Sequence, residues 1–198
     1  MTSAPSQALL DWIDHAPHGH ALDLGAGQGE TALWLVERGF TVDAIERDER
    51  AFGRLVRRSR SLAIRPRNLD LADFHPSPDS YSLILASAVL HFLRPTDLWP
   101  LADRLLASLL HGGLLIAEAF TTDDPGWQAL RGAGAPEVEL NSFLAPEPIG
   151  LIHYFAAGEL RRVFAGLEIL EYEESRRLDP ESDEGYRAGA LLVGRKAT

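Results

Sequence analysis

Asp23, three glycines at alternate positions (Gly25, Gly27 and Gly29) and Glu46 are the residues of this 198-residue chain whose types and spacing carry chemistry. Alternate glycines let the backbone turn with positive φ and bring main-chain N–H groups against a ligand with no Cβ in the way. The apolar run 21–24 before them and the helical spacing of Ala32, Leu33, Leu35 and Val36 after them set the turn between a strand and a helix N-terminus. Unsatisfied N–H groups and the positive dipole end of that helix complete a nucleotide-cofactor loop. Glu46 closes the next strand, where its carboxylate can accept hydrogen bonds from both hydroxyls of a ribose held at the turn.

Alternating strands and helices are needed to place these groups. Residues 6–16 put Leu9, Leu10, Trp12 and Ile13 on one face, an N-terminal helix (1–16) expected to cap the cofactor cleft. A helix over 28–38, stopped by Gly39, and a strand over 40–45 complete a βαβ unit. A helix over 48–59, a weak strand at 62–64, a clear strand at 81–86, a helix over 98–110 stopped by Gly112-Gly113, and a strand over 114–120 continue the pattern. Residues 121–150 are rich in glycine and proline and poorly periodic, and the segment 121–155 reads as a lid or acceptor-binding insertion. A helix over 157–164 and strands at 167–172 and 188–193 finish the chain. The class is α/β, a parallel sheet covered on both faces, in a single domain over 1–198.

A net charge of -10 is the wrong sign for neutralising nucleic-acid phosphates or anionic lipid, so the expected partner is a small molecule. With no cysteine there is no disulfide framework, thiolate metal site or cysteine nucleophile, which suits a reducing cytoplasm. The longest apolar run, 83–93, is too short to span a bilayer. His15, His18 and His20 are clustered, but no carboxylate or cysteine completes a ligand set, so no metal is expected.

The glycine spacing separates two cofactor classes. A dinucleotide fold wants G-x-G-x-x-G, whereas this chain has G-x-G-x-G, with Glu30 where the third glycine would stand. The segment Asp23-Leu24-Gly25-Ala26-Gly27-Gln28-Gly29 resembles the first motif of the class I S-adenosylmethionine-dependent methyltransferases. Asn68-Leu69-Asp70-Leu71 looks like that family's adenine-edge segment, and the strand ending in Ala86-Ser87, continuing to Leu93, like its fourth motif. Ser82 departs from it, standing where many members carry aspartate. Residues 159–174 resemble the tail of the tellurite-resistance-type branch. The resemblance implies a Rossmann-like three-layer sandwich, with a seven-stranded, mostly parallel sheet whose last strand inserts antiparallel, and S-adenosyl-L-methionine as cofactor. It implies cofactor contacts from Asp23 to the methionine amino group, from Glu46 and the adjoining Arg47 near the ribose, from Asp70 and the Leu71 N–H to adenine, and from Ala86 and Ser87.

A sulfonium methyl is already activated, so catalysis is mostly positioning and exclusion of water. An alcohol or amine acceptor needs a base, for which His91, His153, Tyr154 and Glu118 are candidates; a soft, already ionised acceptor needs none. No unmistakable base stands out, which favours the soft acceptor. Phe120, Trp127 and Phe143 could line the acceptor pocket or fill a core of the lid. Two other readings share the fold or the cofactor residues: an NAD-dependent oxidoreductase, and a non-catalytic adenosylmethionine-binding regulatory protein, monomeric or dimeric like the enzyme.

Overall fold

The computed structural model describes residues 5–180, 182 and 184–197. Its central sheet has seven strands in the order β3-β2-β1-β4-β5-β10-β9. They are β1 (His20–Leu24), β2 (Thr41–Ile45), β3 (Ile64–Arg67), β4 (Tyr81–Ser87), β5 (Leu109–Phe120), β9 (Glu168–Leu178) and β10 (Tyr186–Arg195). The first five run parallel, and β10 lies antiparallel between β5 and β9. The expected sandwich with an inserted antiparallel last strand is present.

Period-two alternation divides each central strand between two cores. Leu22, Leu24, Ile84, Leu115 and Ala117 join one, under α4 (Pro95–Ser108) and α6 (Glu159–Val163). Ala21, Leu83, Leu85, Leu114 and Ile116 join the other, under α1 (Gln7–Trp12), α2 (Glu30–Glu37) and α3 (Glu49–Arg58). Ala8 and Leu9 of α1 are buried in that second core, and Trp12 donates to Glu171 of β9, so the opening helix covers the sheet.

Several boundaries differ from the sequence pattern for identifiable reasons. Pro95 starts α4 three residues ahead of the periodic run, since proline at N1 has the φ a helix start needs. Gly112-Gly113 lie inside β5, where the register shifts between Tyr81, opposite Leu109, and Leu83, opposite Leu114; the glycines absorb an irregularity of the strand rather than end the helix. β3 falls at 64–67, later than the weak apolar run, because it is an edge strand that pairs only with β2 and tolerates Pro66. β9 outlasts its apolar start because backbone pairing with β10, not burial, carries it to Leu178.

The stretch after β5 is more ordered than its composition suggests. It holds α5 (Pro125–Gly132) and an antiparallel sheet of β6 (Glu137–Glu139), β7 (Ser142–Ala145) and β8 (Gly150–His153). Its own small core is Phe143, Ile152 and Tyr154, with Trp127, Leu130 and Phe120 packed against it. Both ends of the excursion are zipped together, Phe155 donating to the Phe120 carbonyl and Thr122 to the Phe155 carbonyl.

Candidate functional site

At the C-terminal edge of β1 the chain turns through Gly25 (φ +69), Gly27 (φ +56) and Gly29 (φ +87), all left-handed, before entering α2. Such φ values suit glycine. A Cβ on Gly25 would stand 2.5 Å from Val89 Cγ2, so close approach adds to the conformational requirement there. The turn is held from two sides. Arg58 of α3 donates to the Gln28 carbonyl at 3.1 Å and pairs with Glu30, and the Ala26 N–H donates to the Ile45 carbonyl at 2.9 Å.

Glu46 bridges this turn to the next. One carboxylate oxygen accepts from the Gly27 N–H at 2.8 Å and the other from the Asp48 N–H at 2.7 Å. Each oxygen keeps a further lone pair for a ligand hydroxyl. Asn68 fixes the strand end by donating to the carbonyls of Glu46 (2.8 Å) and Arg47 (3.1 Å). Asp70 caps the turn that starts at Leu71, accepting from the Ala72 N–H at 3.0 Å, and pairs with Arg47 at 3.2 Å. Leu71 opens that short helical turn, where a backbone N–H has no partner within the helix.

Asp23 is 6% exposed, and its Oδ2 has no hydrogen-bond partner. Burial, reinforced by the charges of Glu46 and Glu30, pushes its carboxyl up to about 7. A buried, unpartnered carboxylate costs free energy until a cation or donor reaches it.

These elements enclose a cavity of about 380 Å³ lined by Gly25, Glu46, Arg47, Asp48, Asp70 and Leu71, with Val89 and Leu93 from the chain after β4 and Pro148 and Ile149 from the β7–β8 hairpin. Val89, Leu93 and the hairpin tip are not among the site residues expected from the sequence. Ala88, which also lines the cavity, holds φ +55, and only the path of the chain after β4 reveals it. Left-handed non-glycine residues of this kind cluster at functional sites. Ala86 is fully buried in the sheet and Ser87 is exposed, and neither lines this cavity.

The candidate bases separate. His91 is 1% exposed between the rings of Phe92 and Phe120, and burial pushes it down to about 3, leaving a neutral imidazole. It lines a second cavity of about 130 Å³ with Glu118 and Phe120. His153 and Tyr154 line neither cavity. His153 has both ring nitrogens engaged, Nδ1 with Ser142 Oγ at 2.9 Å and Nε2 with Glu159 Oε1 at 3.3 Å, and so fastens β8 to β7 and α6. Burial raises the Glu159 carboxyl, but the His153 and Ala156 hydrogen bonds outweigh it and hold it below its usual value. Tyr154 fills the small core of the segment after β5, and burial pushes its phenol up to about 12, far from a base. Trp127 and Phe143 belong to the same core, while Phe120 serves both it and the second cavity. His153→Ala is expected to cost about 3 kcal/mol by stranding buried Ser142 and freeing Glu159. Limited proteolysis checks this: cleavage should concentrate within 135–150, and an unchanged pattern would refute the fastening role.

Residues 21–113 match the family model described as a methyltransferase domain. No curated protein matches the chain in sequence. Among solved structures, a SAM-dependent methyltransferase from Methanosarcina mazei superposes with a TM-score of 0.79 at 18% identity, over 98% of this chain and 99% of that one. TehB from Haemophilus influenzae gives 0.75 at 22% identity, over 98% of this chain and 63% of that one. An S-adenosylmethionine-dependent methyltransferase from Mesorhizobium loti gives 0.73 at 19%, over 96% of each chain. Likeness at these identities establishes the fold. Residues 21–113 thus match a methyltransferase domain, and the chain as a whole has the fold of these solved S-adenosylmethionine-dependent methyltransferases.

Proposed function

We propose that the protein is an S-adenosylmethionine-dependent methyltransferase acting on a small-molecule acceptor. The observation that carries this reading is Asp23: a buried carboxylate with an unpartnered oxygen beside the glycine turn, which the ammonium of the cofactor's methionine end would satisfy. The cavity beside the turn is lined by Glu46, which suits the ribose hydroxyls, and by Asp70 and Leu71, whose carboxylate and N–H suit the adenine edge. When bound, the cofactor supplies an activated methyl group. The chain's own part is to hold the two reactants in line and keep water from the methyl, a role suited to the apolar walls from Val89, Leu93 and Ile149.

Among the described residues no helix is long and apolar enough to cross a membrane. The negative net charge supports a small molecule rather than a nucleic acid as acceptor, and the absence of cysteine suits a reducing compartment such as the cytoplasm.

Adenosylmethionine and adenosylhomocysteine should each raise the melting temperature at saturation, as a native-state ligand must. Stabilisation by NAD and by neither of these would instead restore the oxidoreductase reading. Glu46→Ala removes the acceptor for both Gly27 and Asp48 N–H groups together with the ribose contact, and is expected to weaken adenosylhomocysteine binding at least tenfold by calorimetry. An unaltered Kd would refute the ribose assignment.

A further inference from the structure

The second cavity, about 130 Å³, meets the first at Ala88, which lines both. Glu118, on β5, faces the same side of the sheet as Asp23, on β1. Asp23 registers with Leu85, and Ser87, two residues on, registers with Glu118. Glu118 therefore lies two strands across, roughly 10 Å, and about 7 Å further toward the C-terminal edge. A group there is beyond the cofactor's methionine end, where an acceptor must enter.

The charges around this cavity are unevenly committed. Arg187 is held by fully buried Asp124 at 3.2 Å and by Asp179 at 3.6 Å. Arg177 is half exposed and 3.9 Å from one oxygen of Glu118. The other oxygen, Oε1, is buried with no partner, as is Nδ1 of His91. His91, held neutral by burial, adds no positive charge. An anionic nucleophile entering here would meet the unpartnered carboxylate oxygen. An N–H donor would satisfy it.

We propose that the second cavity takes a small amine as methyl acceptor and that Glu118 is the catalytic residue that receives its proton. This rests on the methyltransferase reading above. The amine reacts in its unprotonated form, its ammonium proton having gone to solvent on entry; its lone pair forms the C–N bond as the C–S bond breaks, the bonding pair going to sulfur and leaving a neutral thioether. The N-methylated ammonium so formed gives its proton to Glu118 Oε1, which returns it to solvent through the partly exposed side chain. A carboxylate suffices as a relay because the attacking amine already carries its free lone pair and only the surplus proton of the product ammonium has to pass on to water; an alcohol acceptor would need its proton removed by a stronger base as it attacks.

The test follows adenosylhomocysteine formation by wild type, Glu118→Gln and Glu118→Ala with methylamine, ethanolamine and histamine, and in parallel with 2-mercaptoethanol and selenite. Calorimetry measures binding of each amine to the adenosylhomocysteine-loaded proteins. Expected are turnover of at least one amine, a fall in kcat of about 100-fold in Glu118→Gln, and amine binding weakened in both variants while adenosylhomocysteine affinity is kept. Turnover of the thiol or selenite without any amine overturns the proposal, as does amine turnover that Glu118→Gln leaves unchanged. Failure of all three amines to bind or react, with adenosylhomocysteine still bound, overturns it as well. Failure of the wild type to bind adenosylhomocysteine would count against the methyltransferase reading itself.

Discussion

Asp23→Asn is expected to raise the stability of the protein and, in the same molecule, to weaken adenosylmethionine binding by about 100-fold or more. The stability half follows from the raised carboxyl. In the folded chain burial lifts the Asp23 carboxyl from its ordinary 3.8 to about 7, so the folded state holds this proton more tightly than the unfolded one. Below the lower value both states are protonated and the group contributes nothing. Between the two values stability falls as pH rises, and above about 7 the full penalty of the buried charge, about 4 kcal/mol, remains. Asparagine keeps the shape and removes that penalty. The binding half has the opposite sign, because the same charge is what a cationic ammonium pairs with, and deleting one partner of a desolvated charge pair costs several kcal/mol. Wild-type affinity should accordingly climb as pH rises toward about 7 and level off above it. Calorimetric Kd values from pH 5.5 to 8.5, with denaturation of both proteins at pH 8, read all three effects. A pH-independent wild-type affinity, or an Asn variant that binds as tightly, would remove Asp23 from the site.

The second large effect is at Gly25. Gly25→Ala should destabilise the fold by about 3 kcal/mol, combining the cost of a side chain in the left-handed region with overpacking. The new Cβ would lie 2.5 Å from Val89 Cγ2 and 2.8 Å from Val89 Cβ. Valine cannot swing aside, because branching at Cβ restricts its χ1. Gly27→Ala is the internal control: its φ is also positive, but a Cβ there meets nothing within 4 Å, so only the backbone cost of about 1 kcal/mol applies. Urea denaturation of the two variants should separate them by about 2 kcal/mol. Equal losses would mean that conformation alone, and not the approach of the chain after β4, demands glycine at position 25.

What the sequence revealed of this site, and what it concealed, divides by distance along the chain. Asp23, the glycines and Glu46 belong to one βαβ unit, whose geometry follows from local pattern, so their placement around one turn was legible without any tertiary information. Asp70 reaches the same cavity through a short turn directly after β3. The second cavity is different. It brings the end of β4 against β5, β9 and β10, uniting Ala88 and His91 with Glu118, Arg177 and Arg187, and no local rule foretells that meeting. The same holds for burial. His153 and Tyr154 read as polar groups at the end of a lid, and only the packing of β8 on β7 and α6 turns the first into a clasp and the second into a core residue. The strands β6, β7 and β8 were invisible because each is only three or four residues long, with Gly134, Pro136, Pro146, Pro148 and Gly150 set around them. The outer strands of the main sheet were underestimated for a related reason, since main-chain pairing extends them past the apolar residues that signal them.

The closed stem of the excursion after β5 has a bearing on how such a fold can diversify. Phe120 and Phe155 are joined backbone to backbone, and Asp124 ties the start of the excursion to β10 through the Ala188 N–H at 2.9 Å. With both ends pinned at one place on the scaffold, changes in the length or composition of the intervening hairpins leave the strand order beneath undisturbed, and lengthening a loop whose ends already meet costs little. The segment is an exchangeable cassette: its hairpins can be replaced while the seven-stranded scaffold and the glycine turn on it are inherited unchanged.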